Sequence, residues 1–207
     1  MLNSTIIIYG AFAGLVAILV TVAIERFGGL VGGVLGTIPS TIVPAAAGVY
    51  LIDGEATLAA SMSIVPLGML INGMFLGVWI IFPRYISNDN AKLPLTTLIS
   101  LITWAILAFT SLILARFLTN GIITELTLAI IGLCALIALA VVFNLRAREA
   151  PKGVNKVPLL ILSLRGLAAG IAIAACLWLA ELGLPFIAGL ASAFPAIFLT
   201  SMVALWL

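Results

Sequence analysis

From Ala56 to Pro83 the chain carries no charged residue, and the same holds from Leu93 to Ala115. Uncharged, mostly apolar runs of this length match what a bilayer demands: about 20 residues of helix to cross a hydrocarbon core ~30 Å thick. Seven such runs follow one another, at 4–25, 28–52, 56–83, 92–117, 121–145, 157–181 and 184–207. Short polar breaks separate them. A soluble domain is about one quarter charged, whereas this chain is 8% charged and 64% hydrophobic over 207 residues. Nine basic and seven acidic side chains cannot cover a water-facing surface of that size.

Only helices and closed barrels satisfy their backbone groups in lipid. The runs lack the alternation over roughly ten residues that barrel strands require. The expected fold is therefore all-α, a polytopic transmembrane helical bundle of seven helices. The first run has no Lys or Arg before it and so lacks the basic flank of a secretory signal; it reads as a retained helix. Arg26, Arg84, Lys92, Arg146, Arg148, Lys152 and Lys156 all follow odd-numbered helices, while Arg116 stands alone on the other side. By the positive-inside rule this bias places the protein in the cytoplasmic membrane with its N-terminus outside and its C-terminus in the cytoplasm. There is no histidine, and Cys134 and Cys176 both fall inside apolar runs. That removes most zinc and haem chemistry, and no cofactor or metal is expected.

Sliding the chain by 156 residues reveals an internal repeat. Gly14 falls on Gly170, Glu25 on Glu181, Gly33 on Gly189 and Pro39 on Pro195, without a gap. The matches fall on residues with special physical roles. Helices 1 and 2 then correspond to helices 6 and 7, and the odd number of helices between equivalents predicts that the copies cross the membrane in opposite directions. Inverted-topology repeats are a recurrent plan of secondary transporters. The resulting organisation is a first five-helix unit at 1–145, a basic cytoplasmic loop at 146–156 and a partial second unit of two helices at 157–207. Three further helices, or a homodimer, would complete the second unit.

The stretch GGVLGTIPSTIVPAAAGVYLIDGEATLAASMSIVP, within residues 14–117, resembles the GlpM-like family of small bacterial inner-membrane proteins, with a partial second copy at 170–207. The resemblance implies a four-helix architecture whose second helix runs from glycines into a mid-helix proline. It implies nothing about a solute. Helix 5 and the second copy depart from the family pattern.

Pro39 and Pro44 lie five residues apart inside helix 2. Each removes a backbone donor and clashes with the carbonyl four residues back. Freed carbonyls cannot face lipid, where an unsatisfied group costs several kcal/mol. They must meet neighbouring hydroxyls or a water-filled cavity. Helix 7 repeats the pattern with Ser192, Pro195, Thr200 and Ser201. Helix 3 brings Asn72 to mid-membrane, where it needs a partner helix or a solute. The predicted substrate-binding set is Thr37, Pro39, Ser40, Thr41, Asn72, Ser192, Pro195, Thr200 and Ser201. Glu25 and Glu181 close the first helix of each repeat and are the gating or coupling candidates. Arg165 is expected to snorkel to the cytoplasmic interface or to bind an anionic group, and Glu125 to sit at the N-terminus of helix 5.

The chain holds no Ser–His–Asp set, P-loop or soluble nucleotide domain, so no enzymatic activity is expected. The favoured function is carrier-type transport by alternating access, with the site between broken helices 2 and 7. Sparse charge favours a neutral or weakly charged small solute. The alternative is a non-transport scaffold or assembly protein that binds a partner through its glycine-rich helices. The expected partners are the lipid bilayer and the solute; nucleic acid is not among them.

Overall fold

A computed structural model describes residues 4–27, 40–145 and 158–206. Within them the chain is mostly helical, with short non-helical links: α1 (Ser4–Phe27), α2 (Ile42–Ser63), α3 (Val65–Ile81), a 3-10 turn (Phe82–Tyr85), α4 (Asp89–Thr119), α5 (Glu125–Asn144), α6 (Leu159–Glu181), α7 (Pro185–Ser192) and α8 (Ala196–Trp206). The element boundaries follow local chemistry. Pro66 and Pro185 sit in the first turns of α3 and α7, where the missing N–H costs nothing. Thr124 caps α5 by accepting from the Thr127 N–H, and Glu125 places its charge in the first turn as expected. Gly183 ends α6 at φ +70°, with the Leu184 N–H reaching back to the Leu179 carbonyl. That is the left-handed stop that a Cβ disfavours.

Six segments are long and apolar enough to cross a membrane: Ser4–Ala23, Ile42–Tyr85, Asp89–Thr119, Glu125–Phe143, Leu159–Glu181 and Pro185–Val203. Their outer faces are oily. Phe109, Phe117 and Leu126 are each about two-thirds exposed, a surface that suits acyl chains and not water. The chain is a membrane-embedded helical bundle. The Ile42–Tyr85 segment spans 44 residues. As one straight helix it would be about 66 Å long, twice the hydrocarbon thickness. It is not straight: Gly54, at φ +78° and ψ −165°, interrupts α2 at the Asp53-Gly54-Glu55 break expected from sequence, and a turn at Ile64 separates α2 from α3.

Two apolar cores hold the bundle. One gathers Ile6 and Ala13 of α1, Ala45 and Val49 of α2, Ile173 and Leu177 of α6, and Ala188 of α7. The other gathers Ile71 of α3, Ala108 and Ala115 of α4, Leu128 of α5 and Leu190 of α7. The short helix α7 is the shared wall, with Ala188 facing one core and Leu190 the other.

A close helix crossing joins α1 to α6. A Cβ built on Gly10 would lie 3.1 Å from the Gly170 carbonyl oxygen, and one on Gly14 would lie 2.8 Å from that of Gly166. The pairing runs forward along α1 and backward along α6, so the two helices are antiparallel. Helix backbones approach this closely only where no side chain stands between them, the packing expected of small residues in a membrane.

Candidate functional site at the α7–α8 break

Helix α7 stops at Ser192 after two turns, and α8 begins at Ala196. Pro195 has no N–H to offer the Ala191 carbonyl, which accepts from the Phe194 N–H instead. The interruption leaves Ala193, Phe194 and Pro195 outside regular helix in the middle of a crossing segment. One of its carbonyls is answered from α3. The Asn72 side-chain amide donates to the Ala193 carbonyl at 2.8 Å, and the Asn72 carbonyl oxygen accepts from the Trp104 indole N–H at 3.0 Å. Trp104 in turn meets Phe194 edge to face, with ring centroids 5.2 Å apart. Gly68, one turn before Asn72, makes the approach possible: a Cβ there would stand 2.6 Å from that of Ala193. One face of α3 thus carries a gap and then a hydrogen-bonding amide, and the broken segment rests on both.

A cavity of about 50 Å³ lies against the break. At roughly 10–15 Å³ per water on this measure it has room for a few water molecules. Ser40 and Thr41, Asn72 and Met69, Ala169 and Ile173, and the stretch Ser192 to Phe198 line it. Five of the predicted substrate-binding residues therefore share one cavity wall: Ser40, Thr41, Asn72, Ser192 and Pro195. Thr200 and Ser201 do not reach it. They sit on α8 and donate to the Ala196 and Ile197 carbonyls of their own helix, at 2.9 Å and 2.7 Å. Ser192 lines the cavity yet also donates to its own helix, at the Gly189 carbonyl. The Ser40 hydroxyl is buried with no hydrogen-bond partner among the described residues. Thr37 and Pro39 lie outside the described residues, as does the side chain of Glu25. Glu181 is exposed at the last turn of α6 and is not part of the cavity wall.

Arg165 does not snorkel. It is 5% exposed on α6, with Nε donating to Thr200 Oγ1 and a terminal nitrogen to Thr21 Oγ1, each at 3.2 Å. It ties α1, α6 and α8 together one turn from Ala169 of the cavity wall. Sequence reasoning singled out Asn72 and Arg165 but missed Gly68, Thr21, Trp104 and Phe194 as their companions. The Gly68-x-x-x-Asn72 spacing, one helical turn on one face, was the signal available for the first.

The described cavity wall contains no acidic, basic or thiol side chain. What the described wall offers is hydroxyl, amide and backbone hydrogen bonding, and shape. No family model, curated protein or solved structure matches the chain.

Proposed function

We propose that this is a carrier of a small solute in the cytoplasmic membrane, working by alternating access, with its site at the cavity between the α7–α8 break and the start of α2. The observation that carries the reading is the convergence of Ser40 and Thr41, which precede α2, with Ser192 and Pro195 of the α7–α8 break on one small, mostly apolar cavity. Discontinuous helices meeting at the midplane are how many secondary transporters hold their solutes.

The inverted repeat supports this reading. Exchanging the copies by 156 residues turns the Gly10–Gly170 contact into Gly166–Gly14, which is the other close contact of the same crossing. A pseudo-twofold axis through the α1–α6 crossing has that property. In this reading Ile42–Asp53 belongs to a seventh crossing, separate from the one formed by α3. The N-terminus lies outside and the C-terminus inside. The protein has no enzymatic role, and the resemblance to the GlpM-like family bears on architecture alone.

One observation favours the scaffold reading. Ser192, Thr200 and Ser201 each spend their hydroxyl proton on their own helix, as they would in a dry bundle whose glycine faces bind a partner. A proteoliposome uptake screen separates the two. Uptake of a solute that falls in a Ser40→Ala or Pro195→Ala variant supports the carrier; no uptake of any solute by folded wild-type protein overturns it and leaves the scaffold.

A further inference from the structure

Two hydrogen-bonded attachments hold α8 and the turn before it, and they lead to different parts of the bundle. The first is at the break. Asn72 of α3 donates to the Ala193 carbonyl, and Trp104 of α4 holds Asn72 from its other side while meeting Phe194 edge to face. The second lies in the second turn of α8. There Arg165 of α6 donates through Nε to Thr200 Oγ1, and the same guanidinium reaches Thr21 of α1. The Thr200 hydroxyl sends its own proton to the Ala196 and Ile197 carbonyls, so it turns a lone pair toward Arg165.

Between the two attachments the backbone is loosely tied. Pro195 has no donor. The Phe194 N–H reaches Ala191, the Ala196 N–H reaches only Phe194, and the first helical bond of α8 runs from Leu199 back to Pro195. Among the described residues no helical backbone bond joins α7 to α8. A few such residues can absorb the change in φ and ψ of a hinge. Beyond the hinge α8 packs mainly on α6, with a lesser contact on α4. The two helices run antiparallel: the first turn of α8 shares the cavity wall with Ala169, Ala172 and Ile173, and its second turn meets Arg165.

We infer that Arg165 is a positioning residue that latches α8 over the cavity, and that α8 is the cytoplasmic gate, pivoting at Ala193–Pro195 when Thr200 is released; this rests on the carrier reading and its orientation. Asn72 keeps the pivot in place while the latch end moves. Swinging α8 off α6 parts Ile197 and Phe198 from Ala169 and Ile173, and so joins the cavity to the end of α6 that follows the basic loop. A guanidinium inside a membrane is costly without hydrogen-bond partners. In the open state water must replace Thr200 at Arg165, and the return of α8 removes that need.

The test uses the full chain in proteoliposomes, with Ser192→Cys as a reporter in the cavity wall and Cys134→Ala to remove the exposed thiol. Native Cys176, fully buried in the core of α1, α2, α6 and α7, is the control for general loosening. A small membrane-impermeant methanethiosulfonate is applied from either face, and labelling is read by peptide mass. Thr200→Val keeps the shape of the side chain and removes the acceptor. It should speed labelling of the reporter roughly tenfold from the cytoplasmic face, the population shift set by one hydrogen bond to a charge, with Cys176 still protected. Thr200→Ser keeps the acceptor and should label at the original rate. Thr200→Asp sets a carboxylate against the guanidinium and should slow labelling, a change that poor folding cannot imitate. An unchanged rate in Thr200→Val, a rise shared by Cys176, a rise from the outer face, or no slowing in folded Thr200→Asp overturns the inference. Solute uptake with labelling that ignores Thr200 removes the gate and leaves the carrier. Labelling that follows Thr200 without uptake of any solute keeps the hinged α8 and removes the carrier.

Discussion

The α1–α6 crossing and the α7–α8 break are both built from small residues, yet they use them in opposite ways. At the crossing, Gly10, Gly14, Gly166 and Gly170 let two regular backbones touch, and nothing polar is left over. At the break, Gly68 lets an irregular backbone touch α3 at Ala193, and the polar groups it exposes must be answered one by one. Small side chains permit close approach in either case. Proline decides whether that approach yields a dry seam or a hydrogen-bonded cavity, because it removes the donor that would keep the helix closed.

The comparison breaks most severely at Gly189, where α7 crosses α2. A Cβ there would run into the Ser61 carbonyl oxygen and also lie 2.6 Å from the Ile64 side chain. Backbone cannot swing aside as a side chain does, so Gly189→Ala is expected to cost about 3 kcal/mol or more. The check is the yield and melting temperature of the purified variant; a wild-type melting curve would show α7 to be loosely seated.

Asn72→Ala comes next. It strips partners from two buried groups at once, the Ala193 carbonyl and the Trp104 indole, at about 1–3 kcal/mol for each group left unpaired. The expected result is a lower melting temperature with a shifted tryptophan emission. Unchanged emission would separate Trp104 from the break.

At the crossing, Gly14→Ala places a methyl against the Gly166 backbone and forces α1 and α6 apart, for about 1–3 kcal/mol. The melting temperature of the purified variant reports the loosening without reference to transport. The double variant with Asn72→Ala should be additive within about 0.5 kcal/mol if crossing and break are independent. Coupling larger than that would mean the seam and the cavity move as one piece.

The smallest effect on stability belongs to Ser40→Ala. Removing a buried hydroxyl that has no partner is expected to leave the melting temperature unchanged or slightly raised, while uptake falls. A large loss of stability would show that the hydroxyl is structural.

Much of the bundle was legible because lipid permits so few solutions. Apolar runs predict membrane-spanning helices, Asp53-Gly54-Glu55 predicts an interruption, and Pro195 predicts a break; among the described residues there are six apolar spans in place of seven, with the interruption and the break where expected. Asn72 was legible as a residue needing a partner, because an amide inside a membrane must have one. Which partner it takes was not, since Ala193 lies 121 residues away and offers only a backbone carbonyl, which every residue has. Thr200 and Ser201 were read with Ser192 because they share its composition. Helical rotation turns them from the cavity toward their own carbonyls, and composition carries no rotation.

The sequence by itself determined that the chain lives in a bilayer, is helical, and is interrupted where proline and glycine stand, because hydrogen bonding in a dry medium depends on residue type and run length alone. Tertiary packing decided that Arg165 joins Thr21 and Thr200 in place of reaching the interface, and that the Asn72 amide is held between Trp104 and the Ala193 carbonyl. Each of those depends on which distant helix supplies the second atom of a pair, and no local stretch of sequence carries that information.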